Sequence, residues 1–244
     1  MGKTILITGA STGIGAAAAR TLAEGNTIFV HYNSSEQPAR EVAESVSAAG
    51  GTAHLIRADL STREGCVSLV ETLHTHTSAL DALINNAGGL IRRNPIADGL
   101  EWGLMDETFR LNTFSSMLLT SLCLPLLRKG SDPCVINMTS IAARHGAPSA
   151  TIYGACKGAL DSFTRGAAAE LAPEIRVNAI APGVIETPFH DKVSTPERMK
   201  QFQEKCPLKR NGSAEHIASA VRFILDNDFL TGETIDVNGG MFMR

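Results

Sequence analysis

Residues 3–8 read K-T-I-L-I-T, an apolar run of the kind that buried parallel strands show. The chain then turns at once through Gly9-Ala10-Ser11-Thr12-Gly13-Ile14-Gly15 into residues 16–22, which are rich in helix formers. Strand, glycine turn and helix in that order aim a helix N-terminus and free backbone N–H groups at a phosphate. The glycines let the backbone approach a pyrophosphate and let the helix pack on the strand. A P-loop is excluded, because no Gly-Lys-Ser/Thr follows. The opening of the chain therefore predicts a dinucleotide-binding α/β fold.

The rest of the chain repeats the alternation. Residues 27–32 (T-I-F-V-H-Y) predict a second strand and 36–49 an amphipathic helix. A strand at 52–57 runs into Asp59-Leu60, a helix follows at 62–76, and a fourth strand at 81–85 enters Asn86-Ala87-Gly88-Gly89. A long helical stretch covers about 100–127 and carries Asn112, with Pro125 near its end or kinking it. Strand 134–139 ends at Ser140, helix 151–171 holds Tyr153 and Lys157, and strand 175–180 ends at Pro182-Gly183. Residues 188–212 are polar and broken by Pro196 and Pro207, which suggests a mobile substrate lid. Ser213 caps a last helix to about residue 225, and 231–240 give a final strand and turn. With no repeat or low-complexity linker, the pattern predicts one domain over 1–244: a Rossmann-like, doubly wound, seven-stranded parallel sheet with helices on both faces.

Composition narrows the function. A formal charge of -3 gives no reason to expect nucleic acid or a membrane surface as partner. No apolar run reaches membrane-span length, and the chain starts straight into a strand pattern without a signal-peptide core. Its 5 cysteines are odd in number and scattered, which suits a reducing cytoplasm and leaves the sequons at Asn33, Asn137 and Asn211 unused. His74 and His76 fall on different helix faces and are expected to be solvated, so no metal site is expected.

Tyr153 and Lys157 lie at i and i+4, on one helix face. An ammonium fixed beside a phenol favours the phenolate, lowering the pKa toward the range useful for proton transfer. In open α/β sheets the ligand crevice lies outside the carboxyl ends of the strands, so Ser140, Asn86 and the glycine turn converge on one rim. At the end of the second strand, where a dinucleotide fold reads its ribose, stand Tyr32, Asn33, Ser34 and Ser35. No acid there repels a 2′-phosphate and no arginine clamps one, so the cofactor reading leans to NADP, with NAD kept open.

Together these residues resemble the short-chain dehydrogenase/reductase family over essentially the whole chain. Thr8 to Gly15 match its T-G-x-x-x-G-I-G turn, Asp59-Leu60 its adenine-side pair, and Asn85 to Gly88 its N-N-A-G. Asn112, Ser140, Tyr153 and Lys157 fall on its catalytic tetrad, and Pro182, Gly183, Ile185 and Thr187 on the P-G-x-x-x-T element that meets the nicotinamide. The resemblance implies that Gly9, Ser11, Thr12, Gly13, Ile14 and Gly15 hold the cofactor with Asn86, Ala87 and Gly88. It implies Tyr153 as general acid or base, Lys157 tuning it and holding the ribose, Ser140 binding the carbonyl oxygen, and Asn112 holding a water. It also implies a homotetramer paired through its long helices. Two positions depart from the pattern: Cys156 where serine is common, read as a packed small residue, and Thr12 where NADP-using members often carry a basic residue.

The family does not fix the substrate. Arg92, Arg93, Arg144, His145, His190 and Lys192 all fall in loops expected to border the crevice of a slightly acidic chain. Arg92-Arg93 directly after N-A-G-G-L-I also resembles the gluconate and ketodeoxygluconate dehydrogenases of the family. A guanidinium fork suits carboxylate. The expected substrate is a small anionic hydroxy or keto compound such as a sugar acid, contacted by Arg92, Arg93, Ser140, Tyr153 and His190. A 3-oxoacyl-(acyl carrier protein) reductase is the alternative, and a non-catalytic cofactor-binding protein a remoter one.

Overall fold

The computed structural model describes residues 2–243, without the side chain of Lys192. Strands β1 (Thr4–Ile7), β2 (Thr27–Tyr32) and β3 (Thr52–Arg57) alternate with helices α1 (Gly13–Thr21), α2 (Glu36–Ala48) and α3 (Arg63–His76). After β4 (Ala82–Asn85) come α4 (Trp102–Phe109) and α5 (Ser115–Leu127), then β5 (Cys134–Met138), α6 (Ala142–His145), α7 (Thr151–Leu171) and β6 (Arg176–Pro182). The last part holds β7 (Ile185–Glu186), α8 (Pro188–Val193), α9 (Pro196–Lys205), β8 (Gly212–Ser213), α10 (Ala214–Asp226) and β9 (Thr234–Val237).

Seven strands form one parallel sheet in the order β3-β2-β1-β4-β5-β6-β9. The chain winds outward from β1 through β3, then returns to lay β4 against the other side of β1. That reversal opens a crevice at the carboxyl ends of the central strands. Alternate side chains of each strand feed opposite layers. Ile5 and Ile7 pack with Val30, Ile84, Val42 and Val221 on one face, under α1, α2 and α10. Leu6 packs with Phe29, Leu83, Leu69, Leu119 and Val177 on the other, under α3, α5 and α7. Burial on both faces is why these strands read as continuous apolar runs.

Two stretches take a form that the sequence did not predict. The helix expected over 100–127 is divided: residues Arg110–Phe114 form a π-helical turn between α4 and α5, with Asn112 inside it. Pro125 sits inside the last turn of α5, near the end of the helical stretch as expected. Residues 188–212, expected as a mobile lid, hold two helices, α8 and α9, each with a proline in its first turn. Their ends are tied by β7 pairing with β8. His76 is exposed as expected, and its ring lies 5.0 Å from that of His54, tilted by 33°.

Candidate active site

The first glycine turn owes its shape to backbone geometry that side chains would prevent. Gly9 (φ 62) and Gly13 (φ 55) are left-handed. A Cβ on Gly15 would lie 2.4 Å from the Gly9 carbonyl oxygen, so α1 can sit this close to the turn only with glycine there. Asn86 ties the turn to β4: its side-chain amide donates to the carbonyls of Thr8 (2.9 Å) and Gly9 (3.0 Å). Thr8 Oγ1 accepts from the N–H groups of Asn86 and Ala87, both at 2.9 Å. His31 completes the tie. The Gly9 N–H donates to its Nδ1 (2.9 Å), which leaves the proton on Nε2 to reach the Ala58 carbonyl at 3.1 Å. Burial lowers the His31 pKa to about 4, so the ring is neutral and keeps this bridge.

The turn opens on a cavity of about 490 Å³. One end is lined by Gly9, Ser11, Thr12, Gly13 and Ile14 from the turn, by Tyr32, Asn33 and Ser34 after β2, and by Asp59 and Leu60 after β3. Asn86, Ala87 and Gly88 form its floor, and Pro182, Gly183, Ile185 and Thr187 its far wall. Gly15 stands behind the turn and does not line it. The shape and the open left-handed turn fit a dinucleotide. Arg57, the last residue of β3, donates from Nε to the Asn33 carbonyl at 3.1 Å, so a cation does stand near the ribose end. In the sequence it lies 24 residues from Asn33; the strand register that pairs Tyr32 with Arg57 brings it there.

Ser140, Tyr153 and Lys157 meet at the centre of the cavity. The buried Lys157 ammonium donates to the Met138 carbonyl at 2.8 Å and lies 5.7 Å from the centroid of the Tyr153 ring. Burial lowers its pKa to about 8. Tyr153 behaves differently from expectation. Burial pushes its phenol up to about 12, and only a hydrogen bond with Ser140 pulls it down. Desolvation of the phenolate outweighs a cation whose nearest partner is a carbonyl on β5. The half-buried ring faces the cavity, where solvent moderates that rise.

Asn112 lies behind this group, fully buried and off the cavity wall. Its amide donates to the carbonyls of Gly89 (2.9 Å) and Thr108 (3.0 Å), while Oδ1 accepts from the Gly89 N–H at 2.8 Å. A Cβ on Gly88 (φ 153) would come within 2.7 Å of that oxygen and 3.2 Å of Lys157 Nζ. These bonds tie the loop after β4 to the π-helical turn beside Lys157. Cys156 is packed as expected: burial pushes its thiol up to about 11, which makes it inert.

The basic loops separate into two groups. Arg93, His145 and His190 line the cavity. Arg92 does not; it forms an ion pair with Glu101 at the surface. Arg144 also turns away, pairing with Asp161 at 3.1 Å and reaching Asp236 at 3.7 Å. Among the lining side chains that escaped the sequence reading are Phe189, Val193, Arg198 and Phe202 of α8 and α9. A helical period in residues 188–205 was their only signal, and two prolines masked it.

Comparison with known proteins adds family-level evidence. A family model described as enoyl-(acyl carrier protein) reductase matches residues 9–242. The chain is 34% identical to a cyclopentanol dehydrogenase of Comamonas, across 98% of this chain and 96% of that one. It is 35% identical to the 3-oxoacyl-[acyl-carrier-protein] reductase FabG of Aquifex aeolicus, across 99% and 98%. Among solved structures, an NADH-dependent reductase responsible for alginate metabolism superposes with a TM-score of 0.90 at 30% identity, covering 100% of this chain and 98% of that one.

Proposed function

Since the chain belongs to the short-chain dehydrogenase/reductase family and is an oxidoreductase of alcohol and ketone groups, we propose that its substrate is a small anionic hydroxy or keto compound such as a sugar acid or keto acid. The observation that carries this reading is Arg93. Its half-buried guanidinium lines the same cavity as Ser140 and Tyr153, with no carboxylate paired to it among the described residues. The match to a reductase of alginate metabolism supports it, alginate being an acidic polysaccharide.

The glycine turn, Asp59 and Thr187 would hold NADP or NAD, which supplies the hydride when bound. Ser140 and Tyr153 would bond the carbonyl oxygen, and the Tyr153 hydroxyl would pass its proton to that oxygen as charge develops there. A phenol held near 12 is protonated at neutral pH and ready to act as the acid. Lys157, still protonated below about 8, would keep a positive charge beside the site and bind the ribose. Asn112 would keep the loop around Gly88 and Gly89 in place. NADP is the preferred cofactor in this reading, because Asn33 and Ser34 offer no acid and Arg57 stands close by.

The preferred setting is a homotetramer in the cytoplasm. All five cysteines are free and buried, and no helix among the described residues is long and apolar enough to cross a membrane. A second reading, reduction of 3-oxoacyl thioesters on acyl carrier protein, is favoured by the FabG match. A screen of sugar acids, keto acids, neutral ketones and acyl thioesters with NADH and NADPH tests both. The highest kcat/KM is expected for a small anion with NADPH. Best turnover of an acyl thioester would transfer the assignment to the second reading, and turnover of neutral ketones alone would defeat both.

A further inference from the structure

Two arginines face the substrate half of the cavity from different elements: Arg93 from the loop after β4, and Arg198 from α9. Arg93 is anchored. Its Nε donates to the Val193 carbonyl at the end of α8 (3.1 Å) and Nη1 to the Ser149 hydroxyl (3.3 Å). A guanidinium carries five N–H donors, so the outer edge of the fork remains free. Arg198 rests on the ring of Phe202, its guanidinium carbon 5.6 Å from the centroid. Neither has a carboxylate within ion-pair distance among the described residues.

The two groups oppose each other. Burial and then the charge of Arg198 hold Arg93 below the usual arginine range. Burial and then Arg93 lower the neighbouring His190, with only the exposed Asp191 acting the other way. A wall that gathers two permanent cations and no acid is complementary to an anion with two oxygens, which a planar fork can grip in pairs. Because Arg93 is also bonded to the end of α8, an anion between the arginines would join the β4 loop to both helices of the 188–212 segment.

We propose that Arg93 and Arg198 form a two-guanidinium clamp for the substrate carboxylate, and that binding this group holds α8 and α9 over the cavity. The clamp rests on the anionic-substrate reading above and adds to it the partner of Arg93 and a coupling to the covering helices. It makes recognition of the carboxylate and covering of the reacting carbonyl one event. Gripping the carboxylate equally in ground and transition states would show mainly in KM.

The test uses NADPH-saturated protein and a set of keto acids, each beside its methyl ester. In Arg198→Ala the acid-to-ester ratio of kcat/KM should fall on the order of 10- to 100-fold, mostly through KM of the acid, as the loss of a charge-assisted bond predicts. Arg198→Lys should recover part, because a point charge cannot reproduce the fork. A second readout needs no turnover: malonate should raise the melting temperature of the NADP-bound protein, and raise it less in Arg93→Ala and Arg198→Ala. If unmodified protein prefers the acid but Arg198→Ala keeps both the ratio and the malonate shift, the clamp is wrong and the anionic reading stands. If unmodified protein prefers the ester and ignores malonate, the anionic reading itself falls.

Discussion

At the scale of single residues, the proton carried by Tyr153 decides the chemistry. Tyr153→Phe keeps the ring and removes the only acid proposed to pass a proton to the carbonyl oxygen, so kcat should fall by about 10²–10⁴-fold while cofactor affinity stays close to that of the unmodified protein. Near-normal turnover would remove Tyr153 from its role. The pKa directions make a second prediction. Reduction uses the phenol, which is protonated at neutral pH, and should weaken as Lys157 loses its proton above about 8. Oxidation of an alcohol needs the phenolate, so burial of Tyr153 should make that rate climb through the alkaline range. pH–rate profiles in both directions check this; a flat alkaline profile for oxidation would contradict it. His31 predicts an effect on stability. Its folded pKa is about 4, lowered by burial from 6.5. Between those values the unfolded chain binds more protons than the folded one, so stability must fall as pH drops from 6.5 toward 4. The loss amounts to about 3 kcal/mol. His31→Gln, whose amide can also accept from Gly9 and donate to Ala58, should flatten that part of a melting-temperature profile. An unchanged acid slope would locate the titrating group elsewhere.

At the scale of elements, the ends of β2 and β3 set cofactor choice. Arg57 is exposed, so its contribution to holding a 2′-phosphate should be modest, about a 3- to 10-fold rise in the NADPH Kd for Arg57→Ala. NADH affinity should change less. Ser34→Asp should shift preference toward NADH by repelling the phosphate; binding titrations with both cofactors read each effect, and an unmodified protein that rejects NADPH would refute this account. Arg57 shows where sequence reading stops. Strands β1, β2, β4 and β5 were legible because burial on both faces writes a mostly apolar run, and the glycine turn because glycine adopts its left-handed φ values without strain. The neighbours of Asn33 depend on register between parallel strands, which a run of β-formers does not encode. The π-helical turn was hidden for a similar reason. Residues 100–127 have helical composition throughout, and the extra residue per turn falls where Asn112 bonds to Gly89 across the loop. In the 188–212 segment, Pro196 reads as a breaker in sequence yet stands in the first turn of α9, where it supports the helix. Arg92 and Arg93, adjacent and alike in sequence, part company because Glu101 takes one and the cavity the other.

At the scale of the whole molecule, the sheet brings the chemistry together and leaves other surface uncovered. Its carboxyl edge collects the glycine turn, Ser140 and the residues after β6, while α7 delivers Tyr153 and Lys157 from one side. Away from that edge, large apolar side chains face solvent at several places, two of which lie on or beside helices. Trp102 (81% exposed) and Phe114 (52%) stand on α4 and at the π-helical turn, with the half-buried Leu118 and Leu122, which also pack on the core, and the exposed Pro125 following along α5. Phe223 (52%) and Phe229 (97%) project from α10 and the turn after it. Isolated apolar residues on a surface need no explanation, but a stripe at helical spacing does. An isologous contact pairs a patch with its own copy across a two-fold axis, and one such patch closes a dimer. Two independent patches around different axes close a tetramer with dihedral symmetry. Light scattering at micromolar concentration is therefore expected to give the mass of four chains. Phe114→Glu should place charges against each other at one interface and leave a dimer held by the other. Phe229→Glu should do the same at the second, and both together should give monomers. Monomers from the unmodified protein would overturn the assembly, and a tetramer that survives both substitutions would move the interfaces to other surfaces.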